Sequence, residues 1–96
     1  MFEVIQTDEF EAWLEGLRDR RARVQIAKRI VRVQSGLLGD EEPGGEGVSE
    51  LRVHYGPGYR LYFVRRGQVV IILLCGGDKG SQARDIPRAK DMAKGV

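Results

Sequence analysis

"ELRVHYGPGYRLYF", residues 50–63, sets the frame for the whole chain. On both sides of Gly56-Pro57-Gly58 the apolar residues recur at every second position, the period of a half-buried strand. Leu51, Val53 and Tyr55 alternate with Glu50, Arg52 and His54; Tyr59, Leu61 and Phe63 alternate with Arg60, Tyr62 and Val64. Gly-Pro-Gly is a strong reversal signal, because glycine reaches backbone angles closed to other residues and proline presets a turn. The stretch therefore predicts an antiparallel hairpin with one apolar side. The other side carries Arg52, His54, Arg60 and Tyr62, and the four converge if the register points them the same way.

Downstream, "RRGQ" (65–68) reads as a tight turn and "VVIILLC" (69–75) as a strand covered on both faces, hence central in a sheet. The strand at 49–55 should lie nearer an edge. "GGDKGSQ" (76–82) reads as a polar loop after the central strand. Asp85 as N-cap would put Pro87 in the first turn of a last helix, 86–94, where a missing N–H costs little.

Upstream, "FEVIQ" (2–6) is a short candidate strand. Thr7 can cap a helix over 8–17, with Asp8, Glu9 and Glu11 at its positive end and Phe10, Trp13, Leu14 and Leu17 at helical spacing. A second helix, 19–35, is marked by Asp19 as cap, by Ala22, Ile26, Ile30 and Val33 on one face, and by Gly36 as terminator. The acidic, glycine-rich "GDEEPGGEG" (39–47) predicts a flexible loop. The expected fold is α+β, in the order β-α-α-β-β-β-α. It has a small, mostly antiparallel sheet, a helical hairpin on it and a C-terminal helix. The hairpin is a crossover long enough to bring the first strand in parallel to the central one.

The 96 residues suit one domain, 1–96. The longest apolar run is too short to cross a membrane, and the acidic N-terminus does not resemble a signal peptide, which together suggest a cytoplasmic protein. One cysteine excludes an internal disulfide, and one histidine argues against a histidine-based metal site, so no cofactor or metal is expected. The formal charge of +2 conceals blocks: residues 1–17 hold five acids and no base, 18–32 seven bases and one acid, 33–51 five acids and no base, 52–96 nine bases and three acids. The last basic block coincides with the hairpin, and basic surfaces attract phosphate backbones.

"GVSELRVHYGPGYRLYF" and "GGDKGSQARDIPRAKDMA", preceded by "WLEGLRDRRARVQIAKRIVRVQSGLLGD", resemble the RelE/HigB/ParE toxin superfamily, in particular its addiction-module killer (HigB-like) branch. The resemblance covers nearly the whole chain and implies the toxin of a type II toxin–antitoxin pair. It implies an endoribonuclease that cuts messenger RNA on the ribosome without a metal, through attack of the 2′-hydroxyl on the scissile phosphate. The implied partners are a helix-turn-helix, HigA-like antitoxin and, through it, operator DNA. The other readings are a ParE-like gyrase poison and a non-enzymatic homologue that acts only as antitoxin partner and co-repressor.

Such cleavage needs a base, cations for the phosphorane and an acid for the leaving oxygen. By resemblance Arg52 and Arg60 are the phosphate-binding and transition-state-stabilising residues, since a guanidinium fork matches phosphate oxygens. His54 is the one side chain that titrates near neutrality and Tyr62 a second proton-transfer or stacking candidate, so both are catalytic candidates. Lys79 and Gln82, from the DK-x-x-Q pattern, are candidate RNA phosphate binders. Each has a plain structural alternative: arginines paired with Glu50, an exposed His54, Tyr62 packed under the last helix, and Asp78 paired with Lys79. RelE itself has a tyrosine near its C-terminus, whereas no aromatic residue follows Phe63 here.

Overall fold

Thr7, the residue between the first strand and the first helix, does two jobs. Its hydroxyl accepts from the Phe10 amide at 3.0 Å and donates to the Leu74 carbonyl at 2.6 Å, so one side chain caps a helix and ties it to the sheet. The computed structural model describes residues 1–96 as β1 (Glu3–Gln6), α1 (Asp8–Glu15), α2 (Arg20–Gln34), β2 (Glu41–Gly45), β3 (Val48–Val53), β4 (Tyr59–Arg66), β5 (Val70–Asp78), a 3-10 turn (Lys79–Ser81) and α3 (Gln82–Ala93). The five strands form one sheet in the order β1-β5-β4-β3-β2. β1 runs parallel to β5 and the other pairings are antiparallel. This is the expected α+β architecture with one strand added.

Asp19 caps α2 through the Arg21 and Ala22 amides. At its other end Gly36 takes a φ of +95°, while the Gly36 amide bonds Val33 O and the Leu37 amide bonds Arg32 O. That Schellman pattern satisfies carbonyls a helix end leaves free. α1 and α2 cover one face of the sheet, where Phe10, Ala22, Ile26, Ile30 and Val33 meet Leu51, Val53, Leu61, Phe63, Ile71 and Leu73. α3 covers the other, where Ala89 packs on Val48, Tyr62, Val64, Leu74 and Cys75.

Three local expectations are corrected. The segment 41–45 is an edge strand rather than a free loop. Its side chains gave no strand signal, because it is held by backbone pairing to β3, and Pro43 is tolerated at an edge and beside a bulge. Glu46 and Gly47 both have positive φ, as a two-residue hairpin turn matched to sheet twist requires. β5 does not stop at Cys75 but continues through Gly76 and Gly77 to Asp78. A Cβ on Gly76 would lie 2.2 Å from the Trp13 ring, and one on Gly77 1.9 Å from Asp85 Oδ2. The glycines are thus strand positions crowded from both faces, not loop residues.

The last correction concerns α3. It begins at Gln82, and Pro87 lies inside it. Asp85 is not its cap; it is buried and accepts a hydrogen bond from the Ser81 hydroxyl. Asp78 supplies the capping instead, accepting from the Gly80 and Ser81 amides at 2.8 and 3.2 Å. This start, fixed by Asp78, outweighs the one hydrogen bond Pro87 removes.

Candidate functional site

The β3–β4 register pairs Arg52 with Arg60 and Glu50 with Tyr62. Strand alternation therefore puts Glu50, Arg52, Arg60 and Tyr62 on one face, the α3 side of the sheet. Two cations directly opposed across a strand pair repel. Here Arg52 is balanced by carboxylates: its Nη2 lies 3.0 Å from Glu42 Oε2 and its Nε 3.4 Å from Glu50 Oε1. Glu50 is buried, and Gln82 Nε2 donates to its Oε2 at 3.1 Å from the first turn of α3. The Arg52–Glu50 pairing foreseen as the structural alternative is present, and Gln82 joins it.

Arg60 differs. It is only 8 % exposed, it makes no ion pair, and its buried Nε has no hydrogen-bond partner. On β5 it faces Gly77, the position roofed by Asp85. A guanidinium held out of water with an unused donor costs free energy. An anion docked on this face would recover that cost.

Tyr62 is 1 % exposed and packs with Val48, Val64 and Ala89 beneath α3. Its hydroxyl also lacks a partner. Burial, then the charges of Glu50 and Asp85, push its pKa well above the usual phenol range, so the phenol stays protonated. The packing alternative foreseen for Tyr62 is the arrangement found.

His54 falls outside this cluster. β3 ends at Val53, the Tyr55 amide turns back to Val53 O, and the alternation that would have put His54 beside Arg52 stops. Its side chain is 70 % exposed and its Nε2 lies 2.5 Å from Asp40 Oδ2. That hydrogen bond is the main reason the Asp40 carboxyl sits below the ordinary range. His54 instead lines a cleft of about 400 Å³ with Gln25, Lys28, Arg29 and Arg32 of α2. Arg29 there is structural. Its guanidinium donates to three carbonyls, those of Leu38, Asp40 and Arg52, which pins the end of β3 to the chain leading into β2.

Lys79 stands just past β5, its backbone amide bonded to Gly58 O at 2.8 Å, so it sits against the Gly-Pro-Gly turn. Its ammonium makes no ion pair, because Asp78 is used as a cap. The structure thus brings Arg52, Arg60, Tyr62 and Gln82 together, leaves Lys79 at the turn and sends His54 to the strand end. Sequence reading gave no site role to Glu50, Glu42 and Asp85. Glu50 was visible, since it alternates with Arg52; Glu42 was hidden by the loop assignment.

No family model matches the chain. A protein of Haemophilus influenzae, named only "Uncharacterized protein", is 45% identical over 85 residues, covering 88% of this chain and 86% of the relative. The chain belongs to that protein's family. A mutant of E. coli toxin RelE in the free state superposes with a TM-score of 0.73 over 96% of both chains, at 16% sequence identity. The fold is therefore RelE-like, as the resemblance of the hairpin and the GGDK segment implied.

Proposed function

We propose that this chain is a RelE-like toxin, of the HigB-like branch, that cleaves messenger RNA on the ribosome in the cytoplasm and is restrained by an antitoxin of the helix-turn-helix, HigA-like kind, which also carries it to operator DNA. The observation that carries the reading is the Arg52–Arg60 pair on one face of a RelE-like sheet, with Arg60 buried and its Nε unused.

In the proposed reaction the 2′-oxygen attacks the adjacent phosphorus. A new 2′-oxygen–phosphorus bond forms as the 2′-hydroxyl gives up its proton to water, and the bond to the 5′-oxygen breaks as that oxygen takes up a proton from water, leaving a 2′,3′-cyclic phosphate and a 5′-hydroxyl. Arg60 and Arg52 hold the phosphate oxygens as charge builds on them, Arg52 exchanging Glu42 for the substrate. Lys79 is a mobile cation at the rim, and Gln82 fixes Glu50 and hence Arg52. His54 carries a proton only for RNA that crosses the end of β3. Tyr62, sealed under α3, acts through packing and as a fixed dipole.

The imidazole, bonded to Asp40 past the end of β3 rather than set on the face of the arginines, favours a second reading, a homologue that binds its partner and does not cut. A ParE-like gyrase poison is the third. Induction without the partner sorts them. Cleaving toxin arrests growth and produces new 5′-hydroxyl ends in ribosome-bound transcripts. A gyrase poison arrests growth with transcripts intact, and a binding-only homologue gives no arrest. For the first reading, Arg60→Ala is expected to lower cleavage about 10²–10³-fold, the usual loss of one preorganised oxyanion donor. Unchanged cleavage in that variant would remove Arg60 from the mechanism.

A further inference from the structure

β5 outruns its neighbour. Its pairing with β1 ends at Leu73, whose carbonyl accepts the Thr7 amide, yet the strand continues to Asp78. Where β1 is missing, α1 and α3 close in from opposite faces of the sheet. Trp13 crowds Gly76 and Asp85 crowds Gly77 so tightly that neither position has room for a Cβ. A slot of about 220 Å³ lies there, lined by both glycines. It is smaller than the ~300–1,000 Å³ of pockets for drug-sized ligands, so it suits a single flat ring system. Its α1 side is aromatic: Trp13, only partly buried, packs edge to face with Tyr59 at a centroid distance of 6.1 Å. Its α3 side carries Asp85, 4% exposed. That carboxylate accepts one hydrogen bond, from the Ser81 hydroxyl, and its single ion pair is to Arg84 at 3.8 Å, a side chain 82% exposed. A carboxylate can accept about four hydrogen bonds, and a pair with so exposed a partner offsets little of the cost of burying it. Arg84 and Arg88 stand at the mouth, Arg88 bonded to Glu9 of α1.

We propose that this slot binds a guanylate, with the guanine base against Trp13 and Asp85 and the phosphate held at the mouth by Arg84 and Arg88. Guanine is the one common base with two N–H donors side by side on its Watson–Crick edge, N1–H and the N2 amine, and a carboxylate with open acceptor sites matches both. Adenine and cytosine offer one amine there, beside a ring nitrogen whose lone pair a carboxylate repels. Uracil sets its one N–H between two carbonyls, which repel it as well. The indole supplies a stacking face. A cationic side chain of another protein would also suit a carboxylate beside aromatic rings, but it would have to pass two arginines, and these attract a phosphate instead. A free nucleotide and a guanosine within an RNA chain both present this chemistry. The inference does not depend on whether the Arg52–Arg60 face cleaves RNA.

The full-length chain is titrated with guanosine 5′-monophosphate while the fluorescence of Trp13, its only tryptophan, is followed. A saturable change is expected. Inosine 5′-monophosphate, which lacks the N2 amine, and adenosine 5′-monophosphate should bind about tenfold or more weakly. Asp85→Asn, its folding checked by circular dichroism, should bind the guanosine and inosine nucleotides alike. Because Asp85 is buried, Arg84→Ala at an exposed position gives a second test: affinity for the guanosine nucleotide should fall severalfold, affinity for guanosine itself should hold, and the preference for guanine should remain. The trinucleotide uridine-guanosine-uridine, made uncleavable by 2′-O-methyl groups, separates the two sources. Tighter binding than the mononucleotide assigns the slot to RNA, and equal or weaker binding assigns it to a free nucleotide. Equal binding of the guanosine and inosine nucleotides to the wild type, no fluorescence change with any of them, a guanine preference that survives in folded Asp85→Asn, or N-acetylarginine amide binding as tightly as the guanosine nucleotide would each overturn the proposal.

Discussion

On the face beneath α1 and α2, the inward positions of β3, β4 and β5 are apolar from end to end: Leu51, Val53, Leu61, Phe63, Ile71 and Leu73. The same strands turn a divided surface to α3. Val48, Tyr62, Val64, Leu74 and Cys75 form a smaller core at one end, and Glu50, Arg52 and Arg60 fill the other. α3 follows the division, starting with Gln82 and Asp85 over the charged end and running on to Ala89 and Met92 over the apolar end. A period of two assigns residues to faces, but a covering helix decides which part of a face is core. One face is free to hold the domain together, and the other combines support with a cluster of charges that the core does not need.

The contrast is broken most severely by Phe10→Ala. Phe10 is fully buried in the larger cluster, its ring 5.6 Å from that of Trp13, and truncation should cost about 3–5 kcal/mol in chemical denaturation. A loss below about 1.5 kcal/mol would mean that this core collapses freely around a void and is not the rigid side of the molecule. Gly76→Ala tests the same side by overfilling it. The added methyl would meet the Trp13 ring at 2.2 Å, and the Trp13 and Tyr59 rings pack edge to face at 6.1 Å. About 1–3 kcal/mol of destabilisation is expected, with a changed Trp13 fluorescence spectrum; an unaltered spectrum would place Trp13 elsewhere.

On the α3 side the expected signature is alkaline sensitivity. Burial raises the Cys75 thiol from 9.0 to about 11. A neutral form favoured in the fold contributes stability that is complete below the unfolded pKa and fades as pH climbs from 9.0 toward about 11. Two units correspond to at most about 2–3 kcal/mol. The difference between wild type and Cys75→Ala should therefore shrink across that window. A constant difference from pH 8 to 11 would show the thiol to be open to water.

Much of this division was legible in residues 50–63. Alternation identified the hairpin, its apolar side and the shared face of Arg52 and Arg60, because both arginines lie inside regular strands. The alternation could not be carried past Val53, where the chain turns, so His54 was placed beside Arg52 when it belongs to the α2 cleft. Tyr62 was on the right face, but its burial depends on α3, which starts four residues earlier than Pro87 and Asp85 suggested. β2 lacked any side-chain period, since it pairs with β3 by backbone from Glu41 to Pro43 and again at Gly45, with a bulge at Gly44. Gly76 and Gly77 read as loop because a glycine signals an open turn and a tight contact with the same letter. Some of the missing information was local, as in the turn after Val53 and the Asp78 cap before α3, and some lay in a neighbour distant in sequence, as with Trp13 over Gly76.

The smallest expected effect is the most informative about the divided face. Tyr62→Phe removes a buried hydroxyl that has no partner and keeps the ring that packs against Val48, Val64 and Ala89. Deleting a satisfied hydroxyl costs roughly 1 kcal/mol, whereas deleting an unsatisfied one relieves its desolvation and is neutral or stabilising. Denaturation midpoints should therefore move by less than about 0.5 kcal/mol or shift upward, with the slope unchanged. The alkaline profile above pH 10 should flatten as well, because the raised phenol pKa stabilises the fold only below the ordinary value and that contribution is lost as pH rises beyond it. A clear loss of stability, above about 1 kcal/mol, would mean that the hydroxyl is bonded to Glu50, Arg60 or a trapped water. The α3 face would then be a connected polar network reaching from Tyr62 to Arg52, and Arg60 would no longer be the isolated donor on which the anion-binding reading rests.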